Sequence, residues 1–199
     1  MAVGLLLGAC AAPPVLVDAD PGVGFALYRS GWLSEGELEA LCAAGVEEIV
    51  VLDGTARERE CRMRERVCPQ LRVRWDEPQG AERPLAAGFL TAFDAWVAEA
   101  REAGRGIAFR CRHGWHRAGR LAAYYAMRHG QVDAAAARQE MHRRGRFMWR
   151  HPELDSQVEA LADHLAGRAC GVSPDHCVGP GTGPALPAFP ADVCPEGPR

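Results

Sequence analysis

Lysine is absent from this 199-residue sequence, so all 23 basic side chains are arginine. A GC-rich coding bias accounts for that skew, and no function is read from it. No run of 18 apolar residues occurs, which excludes an ordinary transmembrane helix. Neither sign of charge is in excess: the net charge is −3 and the pI about 6.2. The whole-chain field therefore favours neither nucleic acid nor an anionic membrane, and any anion site must be local. No internal repeat is visible. No two cysteines have the two-to-four-residue spacing of a zinc knuckle, so no metal and no other cofactor is expected. What is present is a globular composition, 48% hydrophobic and 25% charged. It suffices for one domain with a sizeable core, plus a tail.

The opening MAVGLLLGAC sets an apolar run, Ala2 to Ala9, before Cys10, with the small residues Gly8 and Ala9 where a signal peptidase needs them. It resembles the lipobox of bacterial lipoproteins, although the basic leader segment is missing. The resemblance implies export, lipidation at Cys10, and a periplasmic or membrane-anchored protein whose only membrane contact is that lipid. Setting aside Cys10 and Cys111 leaves Cys42, Cys61, Cys68, Cys170, Cys177 and Cys194, an even set with 15 possible pairings. Cys61 and Cys68 share a face of one probable-helix pattern but lie too far apart to bridge each other, so each should pair elsewhere.

Along the chain, 1–10 reads as the signal, 11–24 as a tether, 25–169 as the domain and 170–199 as a tail. Segments 24–31, 47–54, 71–76 and 107–109 read as strands. Ser34 and Glu37 form a capping box for a helix closed by Gly45. The Arg/Glu-rich stretch 57–66 reads as a solvated helix with supporting pairs Glu58–Arg62 and Glu60–Arg64. Helices follow over 84–103, from the loop after 111 to about 130, and over 132–144 and 153–167. Strands alternating with helices predict an α/β fold with a central, mostly parallel sheet. In the tail, 12 of the 29 residues from 171 to 199 are Gly or Pro, which predicts an irregular segment pinned by its cysteines.

The chemistry concentrates in Cys111-Arg112-His113-Gly114-Trp115-His116-Arg117, between a buried strand and a helix. A loop opening a helix aims backbone N–H groups and the positive end of the helix dipole at one point, which suits a phosphate. The guanidinium of Arg117 adds a planar fork for two phosphoryl oxygens. A cysteine at that focus ionises readily and attacks phosphorus. Arg112, His113, Gly114, Trp115 and His116 complete the phosphate-binding set. A general acid is also needed. Asp53, at another strand's end, reads as structural, and Asp94 falls inside a helix.

The loop resembles the signature of the Cys-based protein tyrosine phosphatase superfamily, HCxxGxxR followed by Ser or Thr and Gly. Cys111, Gly114, Arg117 and Gly119 match, whereas Arg110 and Ala118 depart. The stretch LYRSGWLSEGELEALCAAGVEEIVVLDG is similar to the opening of dual-specificity phosphatases of the plant and fungal atypical group, whose loop also carries a His before the Arg, as His116 does here. The resemblance spans about residues 25–168. It implies a dual-specificity phosphatase-like fold and phosphomonoester hydrolysis through a phosphocysteine. The partner would be a phosphorylated substrate, either a phosphotyrosine protein or an inositol polyphosphate. It also implies an acid about thirty residues before the cysteine, for which Asp76 is the first choice and Glu77 the second. Arg110, Arg112, His113, His116 and Arg120 crowd the loop with basic groups, which fits a polyanion; the alternative is that some of them, Arg110 and Arg120 above all, point away and merely solvate the surface. Trp115 and Trp75 are candidates for an aromatic wall. Because Ala118 lacks the hydroxyl that assists phosphocysteine breakdown, a weak or inactive phosphate-binding pseudophosphatase is the alternative. A rhodanese-like sulfurtransferase, usually with a shorter loop lacking the Arg, is the third reading.

Overall fold

A computed structural model describes residues 11–179 and 188–195. Its chain order is β1 (Val15–Asp20), β2 (Phe25–Ser30), α1 (Glu35–Ala43), β3 (Val46–Val51), α2 (Glu60–Val67), β4 (Arg72–Asp76), α3 (Ala87–Glu102), β5 (Gly106–Arg110), α4 (Arg117–Arg128), α5 (Ala134–Arg144) and α6 (Glu153–Leu165). The sheet runs β1-β2-β5-β3-β4, with β1 antiparallel to β2 and the other three pairings parallel.

Strand β5 is buried throughout, and its alternation divides the core. Ile107 and Phe109 join Phe25, Leu27, Phe93, Trp96, Leu121 and Tyr125 on the face covered by α3 and α4. Ala108 joins Leu38, Leu41, Ile49, Val51 and Val73 on the face covered by α1 and α2. Two-sided burial is what a parallel sheet requires. The capping box at Ser34 and Glu37 forms as expected and fixes where α1 begins.

Three segments depart from expectation. Residues 15–20 are not a tether but an edge strand, since the alternation of VLVDAD finds ladder partners from Val15–Arg29 to Asp20–Phe25. Helix α2 is not solvated all round: Glu60, Cys61 and Met63 are buried. The Glu60–Arg64 pair does not form, because Glu60 faces Arg110 and Arg64 reaches Asp192. The tail beyond α6 is irregular as expected, but it also contributes to the core. Phe189, 4% exposed, packs on Trp75, Phe89 and Trp96. Val193 donates its N–H to the Val73 carbonyl (2.8 Å) along the β4 edge.

The six cysteines pair as Cys42–Cys68, Cys61–Cys194 and Cys170–Cys177. Cys61 and Cys68 each bridge elsewhere, as their spacing required. Cys10 lies outside the described residues. Closing a long loop restricts the unfolded chain more than closing a short one, so the links should differ in value. Removing Cys61–Cys194, which spans 133 residues, is expected to cost about 5 kcal/mol. Removing Cys170–Cys177, which spans 7, should cost about 2 kcal/mol. Chemical denaturation of the two double Cys→Ser variants measures both, and a larger loss at Cys170–Cys177 would refute the ranking.

Candidate active site

The loop 111–116 leaves the carboxyl end of β5, where ligands of parallel sheets bind, and enters α4 at Arg117. Its turn depends on Gly114, at φ +77°. A Cβ there would lie 2.5 Å from the Gly31 amide nitrogen, and one on Gly31 would lie 3.0 Å from the His113 carbonyl carbon. Only glycines allow this approach. Backbone bonds then fasten the loop: Trp32 N–H to the Arg112 carbonyl (3.1 Å), and Ala12 N–H to the His113 carbonyl (2.9 Å).

Cys111 is buried and, among the described cysteines, the only free thiol. The Gly114 N–H points at its Sγ, 3.3 Å away, and so favours negative charge on sulfur. Arg117 donates to the Leu52 carbonyl (3.1 Å) and faces a cleft of about 650 Å3. Arg112, His113, Trp115, His116, Arg146, Phe147, Arg150 and His151 also line that cleft. Arg112, Arg117, Arg146 and Arg150 form no ion pair among the described residues, although most other arginines do. Positive charge left uncompensated around a cavity attracts anions.

Of the predicted loop residues, Cys111 through Arg117 are brought together. Trp115 is in the cleft wall, stacked on His113 (5.6 Å) and near Phe147 (6.3 Å), whereas Trp75 is ordinary core. Arg110 is not a substrate contact. It is fully buried and bonded to Glu60, Asp53 and Thr55, because its side chain projects from β5 toward α2. Asp53 is structural, holding Arg110 and the Trp32 indole N–H (3.1 Å). Arg120 likewise faces inward and donates to the carbonyls of Gly80, Ala81 and Arg83 and to Gln157.

Asp76, the acid expected from the sequence, is not brought to this cleft. Asp76 ends β4, but its carboxylate accepts the Ala56 N–H (3.0 Å) and does not line the cleft. Burial raises its pKa nonetheless. Glu77 is exposed and also outside the lining. The cleft's one carboxylate is Glu82, on the segment that Arg120 fastens. It lies 29 positions before Cys111, a spacing visible in the sequence, where the carboxylates weighed as the acid are only Asp76, Glu77, Asp53 and Asp94. From sequence, HRRGRFMWR (142–150) reads either as an exposed basic edge near the site or, by preference, as an ordinary basic helix end. The first reading holds, because Phe147 takes a left-handed conformation (φ 57°) after α5 and brings Arg146, Phe147 and Arg150 to the cleft. Among the described residues no cluster of metal-binding side chains occurs.

The architecture, a mixed α/β fold with a five-stranded sheet flanked by helices, is shared with PTP-like solved structures. TpbA of P. aeruginosa shares it at 21% identity and TM-score 0.53, over 76% of this chain and 96% of that one. A cysteine-to-serine variant of TpbA in complex with pTyr gives 20%, 0.55, 76% and 95%. Tk-PTP in the active form gives 18%, 0.53, 74% and 96%. No protein-family model and no curated protein matches the chain.

Two stability effects follow. Removing the cation from the buried Arg110 cluster strands Glu60 and Asp53, so Arg110→Leu should lose about 3–5 kcal/mol in denaturant unfolding. A loss under 1 kcal/mol would contradict this (about the worth of an exposed pair). Burial holds His113 and His116 below the ordinary imidazole range, and nearby positive charge acts in the same direction. The unfolded chain then binds more protons, so stability falls as pH drops through about 6.5. His116→Gln should flatten the fall in melting temperature between about pH 7 and about pH 5; an unchanged slope would refute the assignment.

Proposed function

We propose that this chain is a cysteine-dependent phosphomonoester hydrolase of the tyrosine or dual-specificity type, acting on phosphotyrosine in proteins or on inositol polyphosphates. The observation that carries it is the Cys111 sulfur beneath the Gly114 N–H, in a loop that ends at Arg117 on the first turn of α4. The phosphoryl group sits over the loop, its oxygens held by Arg117 and backbone N–H groups. The Cys111 thiolate attacks phosphorus while the P–O bond to the leaving group breaks, and Glu82 delivers a proton to that oxygen. Water then attacks the phosphocysteine, passes a proton to Glu82 and releases phosphate. Arg112, His113, Trp115 and His116 shape the entrance, and no metal takes part.

Ala118, buried in the first turn of α4, offers no hydroxyl to the departing sulfur. That favours slow breakdown of the intermediate, and in the limit a phosphate-binding pseudophosphatase. Export and anchoring through Cys10 are part of the proposal, supported by the three disulfides, which belong to an oxidising compartment.

Phosphate release from a phosphotyrosine peptide and from inositol hexakisphosphate, by the unreduced protein, tests the reading. Cys111→Ser should abolish both activities, and Glu82→Gln should lower kcat by about 100-fold and remove the limb of the pH profile that needs a protonated acid. Asp76→Asn should leave kcat near wild type. Undiminished hydrolysis by Cys111→Ser would overturn the mechanism. A large kcat loss in Asp76→Asn with none in Glu82→Gln would return the acid to Asp76. Phosphate binding without release from either ester would establish the pseudophosphatase.

A further inference from the structure

Arg29, one residue before the end of β2, is only 7% exposed. Burying a guanidinium is costly unless a carboxylate or several acceptors come with it. Arg110 and Arg74 follow that rule, with Glu60 and Glu48 as partners. Arg29 does not: its side chain has no ion pair and no hydrogen-bond partner among the described residues. The carboxylate whose field reaches it, Glu140, is already bonded to Arg143 and Arg144. Burial, with the like charge of Arg144, pushes Arg29 down to about 10, which still leaves it charged at neutral pH.

The side chain borders a cavity of about 340 Å3 behind the loop. Arg144 and Arg146 border it too, and no carboxylate does. The remaining wall comes from Gly114, Trp115 and the segment from Ala11 to Pro13 with Val15. Trp115 and Arg146 also line the catalytic cleft, so the two cavities are neighbours across one indole ring and one guanidinium. Arg146 stands 5.5 Å from the Trp115 ring centroid, which holds the partition in place.

We propose that this cavity is a second phosphoryl-group subsite, in which Arg29, Arg144 and Arg146 hold one phosphoryl group of a substrate whose reacting phosphoryl group lies over Cys111. The inference rests on the phosphatase reading of the cleft and narrows its substrate class to small molecules carrying at least two phosphoryl groups. Three arginines lining a single cavity match the oxygens of a phosphate dianion, and that anion supplies the direct partner that the buried Arg29 lacks among the described residues. A phosphotyrosine peptide, with one phosphoryl group at the loop, would leave the second cavity without its anion.

The test separates binding from turnover. Calorimetric titration of the full-length Cys111→Ser protein with inositol hexakisphosphate, at fixed salt, gives the reference affinity. Adding Arg144→Ala should weaken it by about tenfold, and adding Arg29→Gln by at least as much. In the protein with Cys111 intact, Arg144→Ala should hydrolyse para-nitrophenyl phosphate, which has one phosphoryl group, at the wild-type rate. Arg144 is exposed, so its variant reads the subsite even if Arg29→Gln fails to fold in a thermal melt. Hexakisphosphate affinity within twofold of the reference in Arg144→Ala would overturn the subsite. So would a parallel loss of para-nitrophenyl phosphate turnover, because the residue would then serve the loop itself. Titration with inorganic phosphate distinguishes the source of the anion. If Arg144→Ala weakens inorganic phosphate but not hexakisphosphate, the cavity holds free phosphate and the proposal of one bridging substrate falls. Absence of hydrolysis of every ester by the wild type would instead defeat the phosphatase reading, and the Cys111→Ser titrations would still report on the subsite.

Discussion

The loop exists because two stretches of backbone touch. Gly31, just past β2, and Gly114, in the turn after β5, approach so closely that a single methyl group on either would meet main-chain atoms of the other segment. Side chains cannot substitute for that contact, since its space is already filled by peptide groups. Everything at the site inherits its position from it. The Gly114 N–H is turned onto the Cys111 sulfur, and Ala12 donates its N–H to the His113 carbonyl while its own carbonyl accepts the Gly31 N–H. β1 is drawn onto the sheet edge immediately afterwards. The edge strand and the anion loop are therefore one construction.

A second regularity is the uneven distribution of compensation among the arginines. Glu48 has no exposed surface and serves Arg72, Arg74 and Arg105 together. Arg110 has Glu60 and Asp53. Arg120 donates through its two terminal nitrogens to carbonyls of the segment 80–83 and to Gln157, and so converts its burial into a fixed path for the strand-to-helix connection that carries Glu82. Burial without compensation costs several kcal/mol per charge, so a folded chain tolerates it only locally. Arginines without a carboxylate partner border the loop on both sides, the exposed Arg112, Arg146 and Arg150 with Arg117 in front and the buried Arg29 behind. A net charge of −3 conceals this completely.

Legibility from the sequence followed the range of the interactions. The capping box, the buried strand before Cys111 and the glycine-bearing turn are local, and each was readable from a few adjacent residues. So was the even set of six cysteines, although nothing local specified that Cys61 would meet Cys194. What could not be read was decided by contacts between distant segments. Asp76 looked like an acid because it follows a strand, but the Ala56 N–H, twenty residues earlier, occupies its carboxylate. Arg110 looked like a substrate contact because it precedes Cys111, but strand alternation turns it to the other side of the sheet. Residues 15–20 looked like a tether because alternating apolar and acidic residues need a partner strand before they mean anything. Phe147 and Arg146 reach the cleft through one left-handed residue that no periodicity announces.

The disulfides and the nucleophile impose a constraint on each other. A reactive thiolate in an oxidising compartment is exposed to disulfide exchange with any other cysteine it can reach. Among the described residues every other cysteine is already in a bridge, and Cys111 is 1% exposed at the base of its loop. Exchange requires an attacking thiolate to approach sulfur along the S–S axis, and a thiol with so little exposed surface seldom meets another protein's disulfide. Burial thus keeps the one free thiol among the described residues from being consumed by the chemistry that stabilises the rest of the fold.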